Sequence, residues 1–215
     1  VMMLLLRELK IMLRSPAGAI QSLMFAVLVI ALFPLAITPD PDQLEPLGIG
    51  LIWVVTLLSC LLAADKSLAG DYADGSLEQM VLSDYPLWWV CLVKSMAHWV
   101  SCALPLLLMA PILGAMLAMP LDRIVWLMAS LVLGSPILSL FCMLGAMLTV
   151  GLNQSSALLP ILIAPFLVPT LILGTQWATT GGEAFYGYML AALLCLSLVT
   201  LPFAMAVVAK IAVSR

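Results

Sequence analysis

The distribution of charged residues constrains this chain more than any other feature of its sequence. Five long windows contain no Asp, Glu, Lys or Arg, namely residues 15–39, 46–64, 95–121, 124–182 and 184–209. A helix that crosses a membrane needs about 20 mostly apolar residues to span roughly 30 Å of hydrocarbon. Of the 215 residues, 65% are hydrophobic and 9% are charged, whereas soluble domains carry about 25% charged residues. We therefore expect an integral membrane protein.

The fourth window is too long to be one span. A single helix over residues 124–182 would extend about 88 Å, so this window must fold back on itself. The polar string Gly151-Leu152-Asn153-Gln154-Ser155-Ser156 is the predicted bend. Because backbone groups in lipid must hydrogen-bond within the chain, we expect an all-α fold. A single domain over residues 1–215 would contain six spans, at about 19–37, 47–64, 91–118, 124–150, 157–177 and 187–209.

The lysines and arginines predict the orientation, because positively charged loops are retained in the cytosol. Six spans place both termini, the passage over residues 65–94 and the bend at Asn153 on one side of the membrane. That side holds Arg7, Lys10, Arg14, Lys66, Lys94, Lys210 and Arg215, and the other side holds Arg123. Both termini and the 65–94 loop are therefore predicted to be cytosolic.

The residues before Pro16 predict a short helix that lies in the membrane interface. Arg7, Lys10 and Arg14 are spaced three and four apart, which places them on one helical face. Such an amphipathic helix can rest in the headgroup layer with its basic side toward anionic lipid. The alternative is a helical extension of the first span. Proline disfavours helix at the residue before it, which favours the interfacial helix.

The polar passage over residues 65–94 is the candidate functional segment. Ser76 and, three residues later, Gln79 match a capping box, and Gly75 supplies the turn before it. The helix would separate apolar from acidic residues. Leu77, Met80 and Val81 would form one face, Glu78 lies on another, and Asp71 and Asp74 come just before the helix. The apolar face either packs against the adjoining membrane helices or inserts into a groove on another protein.

His98, Trp99 and Trp53 are the remaining candidates. His98 is the sole histidine, and imidazole can serve as a haem ligand or a proton-responsive group. A single histidine without a second ligand favours a hydrogen-bonded structural residue instead, and Lys94 one turn away would disfavour its cation. Tryptophans such as Trp53 could form an aromatic platform for a flat ligand such as a porphyrin. The stronger interpretation is an ordinary aromatic belt near the span ends.

Motifs for nucleotide binding and hydrolysis are absent from the sequence. No Gly-x-x-x-x-Gly-Lys-Ser/Thr string occurs, so the chain cannot bind ATP phosphates in a P-loop of its own. The spans hold no paired carboxylates, Ser/His/Asp set or His-Glu-x-x-His zinc motif. Its five cysteines show no Cys-x-x-Cys pairing, so neither a disulfide framework nor a metal site is indicated. We expect a non-catalytic membrane subunit.

Several strings, taken in order along nearly the whole chain, carry a family resemblance. They are Leu32-Phe33-Pro34-Leu35, Gly50-Leu51-Ile52-Trp53, residues 71–82, Lys94-x-x-Ala97-His98-Trp99 and Leu148-Thr149-Val150-Gly151-Leu152. The general arrangement resembles the permeases of type-2 ABC transporters. In more detail it resembles the CcmB family, the membrane subunit of the haem-handling ABC complex of cytochrome c maturation.

The resemblance implies a permease subunit for haem export, or for release of a haem-loaded chaperone, in a bacterial inner membrane. Haem would be cargo, and ATP would be hydrolysed on a cytosolic ATPase subunit. The other implied partners are a haem-handling membrane protein, a small membrane subunit, a periplasmic haem chaperone and a second copy of the chain. The implied ATPase-coupling loop comprises Asp71, Asp74, Gly75, Ser76, Leu77, Glu78, Gln79, Met80 and Val81.

Two functions of other classes remain as alternatives. One is an ATP-independent secondary transporter or channel, with proline-broken helices forming its site. Such proteins commonly need an intramembrane carboxylate for ion coupling, and the five charge-free windows contain none. The other is a scaffold subunit that conducts nothing.

Overall fold

The computed structural model describes residues 17–37, 40–150 and 155–213, and every regular element in these ranges is a helix. In chain order the α-helices are α1 (Ala17–Ala36), α2 (Pro41–Ala73), α3 (Ser76–Val81), α4 (Leu87–His98), α5 (Leu104–Met116), α6 (Leu121–Thr149), α7 (Ser155–Thr179) and α8 (Ala184–Val213). A π-helical segment, Trp99–Ala103, joins α4 to α5. The predicted interfacial helix before Pro16 and the predicted bend around Asn153 lie outside the described residues.

Five of the described helices are long and apolar enough to cross a membrane, and a shorter apolar helix precedes them. The five are Pro41–Ala73, Leu87–Met116, Leu121–Thr149, Leu158–Thr179 and Ala184–Val213, and the shorter one is Ile20–Ala36. The protein is therefore a multi-pass membrane protein, and the predicted all-α fold is confirmed. All six helical segments begin before their predicted spans, and α2 also continues nine residues past its predicted end.

The polar loop is shorter than the predicted range of residues 65–94. Helix α2 continues through Asp65 and Lys66 to Ala73, and α4 already begins at Leu87. The charges of these two residues do not stop the helix, because a helix that leaves the hydrocarbon can expose polar side chains on its outer face. Lys66 is exposed and donates to the side chain of Gln21. The connection is thus reduced to residues 74–86, with the short helix α3 inside it.

Helix α6 lies at the centre of the bundle. Within the most apolar stretch of each helix, 67% of α6 is buried by the rest of the protein, compared with 28% of α7 and 22% of α8. Large apolar side chains on α7 and α8, among them Ile161, Tyr188 and Val199, are exposed. Since lipid tails solvate such side chains as well as protein does, α7 and α8 form a lipid-facing wall and α6 the interior.

Trp53 connects three helices in this interior. Its side chain is fully buried on α2 and lies directly over Gly134 of α6 and Gly174 of α7. A Cβ at either glycine would overlap the indole ring. Small residues let membrane helices approach closely, and here they leave room for one large aromatic side chain. The belt position expected for Trp53 is therefore wrong, because this indole fills a gap between helices rather than the membrane surface.

The span over Leu87–Met116 is irregular at its middle. The π-helical turn at Trp99–Ala103 comes just before Pro105, which has no backbone N–H to donate. Helix α7 contains three prolines within ten residues, Pro160, Pro165 and Pro169. The structure keeps α7 helical over its whole length.

We predict that Gly134→Ala or Gly174→Ala destabilises the bundle. The added methyl group must displace the Trp53 indole, and overpacking of this kind typically lowers the free energy of unfolding by about 1–3 kcal/mol. The measurement is denaturation by sodium dodecyl sulphate from mixed micelles. Gly50→Ala is the matched control, because nothing lies within 4 Å of a Cβ built there. Equal stability of the Gly134 and Gly50 variants would contradict this account of Trp53 packing.

Candidate functional site

The loop between α2 and α4 is built on a tight turn at Asp74 and Gly75. Gly75 has a φ of 75°, in the left-handed region that favours glycine. The Asp74 carboxylate accepts the backbone N–H of Ser76 at 2.9 Å and also the Ser76 hydroxyl. The predicted capping box is wrong, because Ser76 is already the first helical residue and makes no cap to Gln79. Asp74 satisfies the free amide in its place.

The turn also sets the charge of Asp74. The hydrogen bond from the Ser76 hydroxyl, followed by that from the Ser76 backbone N–H, lowers the pKa of the Asp74 carboxyl below its ordinary value. Both donors stabilise the ionised form. Asp74 is exposed, so its negative charge is displayed at the loop surface.

Helix α3 faces inward with one side and outward with the other. Leu77 is 1% exposed and belongs to the hydrophobic core, and Val81 packs against that core. Glu78 and Gln79 are exposed on the opposite side, and Leu82 just after the helix is 82% exposed. Leu77 and Val81 thus share the inward side as predicted, whereas Met80 of the predicted apolar face is only half-buried. The apolar face packs against the protein's own helices, so the outward surface is made of Glu78, Gln79 and Leu82.

Asp71 lies apart from that outward surface. It sits in the last turns of α2 and forms an ion pair with Lys94 of α4. The side chain of Lys94 is 2% exposed and that of Asp71 is 19% exposed. Neither the orientation predicted from Lys94 nor its spacing from His98 indicates this pairing. A lysine inside the apolar run of α4 was the signal that could have revealed a buried partner, since buried charges are normally paired.

Three serines of α6 bind the three aromatic candidates. Trp53 Nε1 donates to Ser130 Oγ at 3.1 Å, and Trp99 Nε1 donates to Ser135 Oγ at 2.9 Å. His98 Nδ1 lies 2.6 Å from Ser139 Oγ. These serines, Ser130, Ser135 and Ser139, are each 0–1% exposed. We refer to them as the serine ladder, and sequence reasoning did not find it.

The second bond of Ser139 fixes the roles in its pair with His98. The Ser139 hydroxyl donates to the backbone carbonyl of Ser95 at 3.1 Å. A hydroxyl has one proton, so Ser139 Oγ accepts from His98 Nδ1–H. Ser139 thus links α6 to α4 at two points one turn apart. The His98 side chain is 1% exposed, and a ring held in this way does not face an open site, which favours its structural interpretation over haem ligation.

A cavity of about 240 Å³ lies between α4, α6 and α8 beside Trp99. Its walls are Leu92, Ser95, Met96, Trp99, Val132, Pro136, Leu140, Leu194 and Leu198. The Ser95 hydroxyl donates to Cys91 O within its own helix, and Trp99 Nε1 is bound by Ser135, so the walls offer almost no free polar group. The volume is below the roughly 300–1,000 Å³ of typical ligand pockets. Among the described residues, no three His, Cys, Asp or Glu side chains are grouped to hold a metal ion.

A comparison with models of known protein families identifies the family of this chain. The family model described as CcmB protein matches residues 1–212. The chain belongs to the CcmB family. Proteins named "Heme exporter protein B" are similar to it over nearly their full lengths. The Pseudomonas aeruginosa protein is 44% identical, with 99% of this chain and 97% of the relative covered. The Rhodobacter capsulatus protein is 36% identical, with 97% of each covered.

We predict that Ser139→Ala lowers the free energy of unfolding by about 1–2 kcal/mol, because it leaves the buried His98 Nδ1–H without an acceptor. The same denaturation from mixed micelles measures the change. Ser197→Ala is the matched control, since the Ser197 hydroxyl is buried but bonds only Leu193 O in its own helix. A loss no larger than that of the control would contradict the role assigned to Ser139.

Proposed function

We propose that this chain is the permease subunit of an ABC complex that exports haem, or releases a haem-loaded chaperone, during cytochrome c biogenesis. It is non-catalytic itself, and a separate cytosolic subunit hydrolyses the ATP. The observation that carries the proposal is membership in the CcmB family over residues 1–212. The names of its bacterial relatives supply the cargo.

The loop between α2 and α4 is the proposed point of contact with the ATPase. Three features support it: a short helix outside the spans, an apolar side packed onto the membrane helices, and an outward surface of Glu78, Gln79 and Leu82. Such a helix can be displaced by a partner that contacts its outward side, and its inward side then transmits the displacement to the membrane helices. Of the proposed coupling residues, Gly75 and Ser76 shape the turn, while Leu77 and Val81 fasten the helix to the bundle.

Helix α1 is the proposed sixth span. Its 20 residues correspond to about 30 Å of helix, which matches the hydrocarbon thickness. Ala26 and Ile30 are fully buried, and the Ser59 hydroxyl of α2 donates to Ser22 O at 3.2 Å. These contacts support α1 as part of a single transmembrane domain over residues 1–215. Six spans place both termini on the same side.

The proposed location is a bacterial inner membrane with both termini and the 74–86 loop in the cytosol. The basic residues support this orientation, because Lys66, Lys94 and Lys210 all fall at the loop side of the bundle. At the other surface Arg123 is neutralised by Glu45, 3.3 Å away.

We predict that Glu78→Cys is protected from a membrane-impermeant maleimide in intact cells and reacts after permeabilisation. Glu183→Cys, in the turn between α7 and α8, should react in intact cells. Both positions are exposed, so the side of the membrane decides the labelling. Quantitative labelling of Glu78→Cys in intact cells would overturn the orientation and the proposed ATPase contact together.

The remaining partners follow from the proposed pathway: a haem-handling membrane protein, a small membrane subunit, a periplasmic haem chaperone and a second copy of this chain. Two copies would present two loops to two nucleotide sites. His98, Trp99 and Trp53 are proposed to be structural, since each is bound by the serine ladder.

We predict that Glu78→Lys lowers ATP turnover of the complex by about tenfold or weakens co-purification of the ATPase, because it reverses the charge on the outward face of α3. The measurement is ATP hydrolysis by the purified complex. Leu77 is unsuitable for this test, since it is buried and its replacement would disturb folding. Glu183→Lys is the matched control, an exposed acidic residue at the other surface.

The same experiment separates the alternatives. A secondary transporter or a scaffold would show no dependence of ATP hydrolysis on Glu78. Turnover equal to that of the Glu183 variant, with the ATPase still bound, would contradict coupling through this loop.

A further inference from the structure

We propose that the Asp71–Lys94 ion pair is the joint through which displacement of α3 enters the membrane helices. This inference rests on the proposed function of the loop. Both residues are then positioning residues that act through α3 and do not contact the ATPase. The pair would hold the ends of α2 and α4 in one geometry, so that the loop pushes a rigid unit.

The position of the pair supports this role. Asp71 precedes the turn at Asp74 and Gly75 by one helical turn, and Lys94 lies in the second turn of α4. The pair therefore connects the two helices between which the 74–86 loop is suspended. The ends of α2 and α4 that flank the loop therefore cannot move apart unless the two charges separate.

Separation of the charges is strongly disfavoured. Lys94 is 2% exposed, so its ammonium group has little access to water when its carboxylate partner is withdrawn. Dissolved salt also screens a buried pair far less than an exposed one. The pair therefore behaves as a stiff link, in contrast to the exposed pair Glu45–Arg123 at the other surface, whose side chains are 32% and 37% exposed.

Helix α3 is itself fastened within this unit. Leu77 anchors it in the core, and the Ser83 hydroxyl donates to Met80 O at 2.8 Å, which closes its end. A displacement of α3 therefore acts on the core through Leu77.

The link extends from α4 to the centre of the bundle. Next to Lys94, the Ser95 carbonyl accepts from Ser139, and His98 donates to the same hydroxyl. The pair therefore joins the loop to α2 and α4, and Ser139 joins α4 to α6. A displacement that begins at α3 reaches the most buried helix through one ion pair and one bridging serine.

A buried ion pair is a poor source of stability compared with apolar packing of the same volume. A leucine and a methionine in place of the two charged residues would fill the contact between α2 and α4 equally well. What opposite charges add is a requirement that these two residues stay in contact, since either charge left alone in the interior is costly. This difference indicates that the pair holds the position of the loop, and it suggests a test that separates position from stability.

The test uses the full complex in native membranes, with haem delivery read as holo-cytochrome c formed per ATP hydrolysed. Asp71→Asn and Lys94→Met should each retain the ATPase and its hydrolysis, yet lower the haem delivered per ATP by roughly five- to thirtyfold. The exchanged double variant Asp71→Lys/Lys94→Asp should recover at least about half of the wild-type ratio. Arg123→Gln, which breaks the exposed pair, is the matched control and should leave the ratio within about twofold of wild type.

Single variants with a ratio within about twofold of wild type would overturn the proposal, as would an exchanged variant no better than the singles. If the single variants do not accumulate in the membrane, the exchanged variant decides. The proposal is supported if the exchanged variant accumulates in the membrane and its haem delivered per ATP is restored. It is overturned if that variant accumulates with a low haem delivery per ATP, or if it does not accumulate. The proposed function is tested separately, because it fails if wild-type chain retains no ATPase or if Glu78→Lys leaves turnover unchanged.

Discussion

The hydrogen bonds of the serine ladder organise the interior of this bundle. In hydrocarbon no water is available to an indole N–H or an imidazole N–H, so a hydrogen bond to such a group has to come from within the protein. Helix α6 supplies these partners at three levels, to Trp53 of α2, to Trp99 of the π-helical segment and to His98 of α4. Because a different structural element is held at each level, the position of α6 determines where the other helices can lie.

This arrangement separates the bundle into an inner and an outer part. Around α6 the contacts are polar, specific and closely spaced, as at Trp53 over Gly134. On α7 and α8 the side chains at the surface are apolar and are solvated by lipid, so they place few demands on a partner helix. The loop at residues 74–86 is connected to the inner part, through Leu77 and through the pair of Asp71 and Lys94. Motion of that loop would therefore act on the specific part of the structure.

Much of the fold could be predicted from the sequence, since charge-free windows and the hydrocarbon thickness together demand long helices. The short helix α3 and an apolar face that contains Leu77 also followed from local spacing, but spacing alone leaves open whether that face packs inward. The partners of the polar side chains could not be predicted. Ser139 is 41 residues from His98, and periodicity describes a helical face but not the residue opposite it. The same limit concealed the link between Asp71 and Lys94, which lie on separate helices.

The π-helical segment at Trp99–Ala103 has a consequence for the span that contains it. A π turn holds about one residue more than an α turn, so the faces of α4 and α5 are offset by roughly 100° around the shared axis. Loss of one residue there would leave both helices intact but rotate α5, turning the buried Leu106 and Leu113 away from the bundle and the exposed Leu108 toward another neighbour. The number of residues in this segment, more than their identity, thus sets the rotational position of α5, the second half of the span.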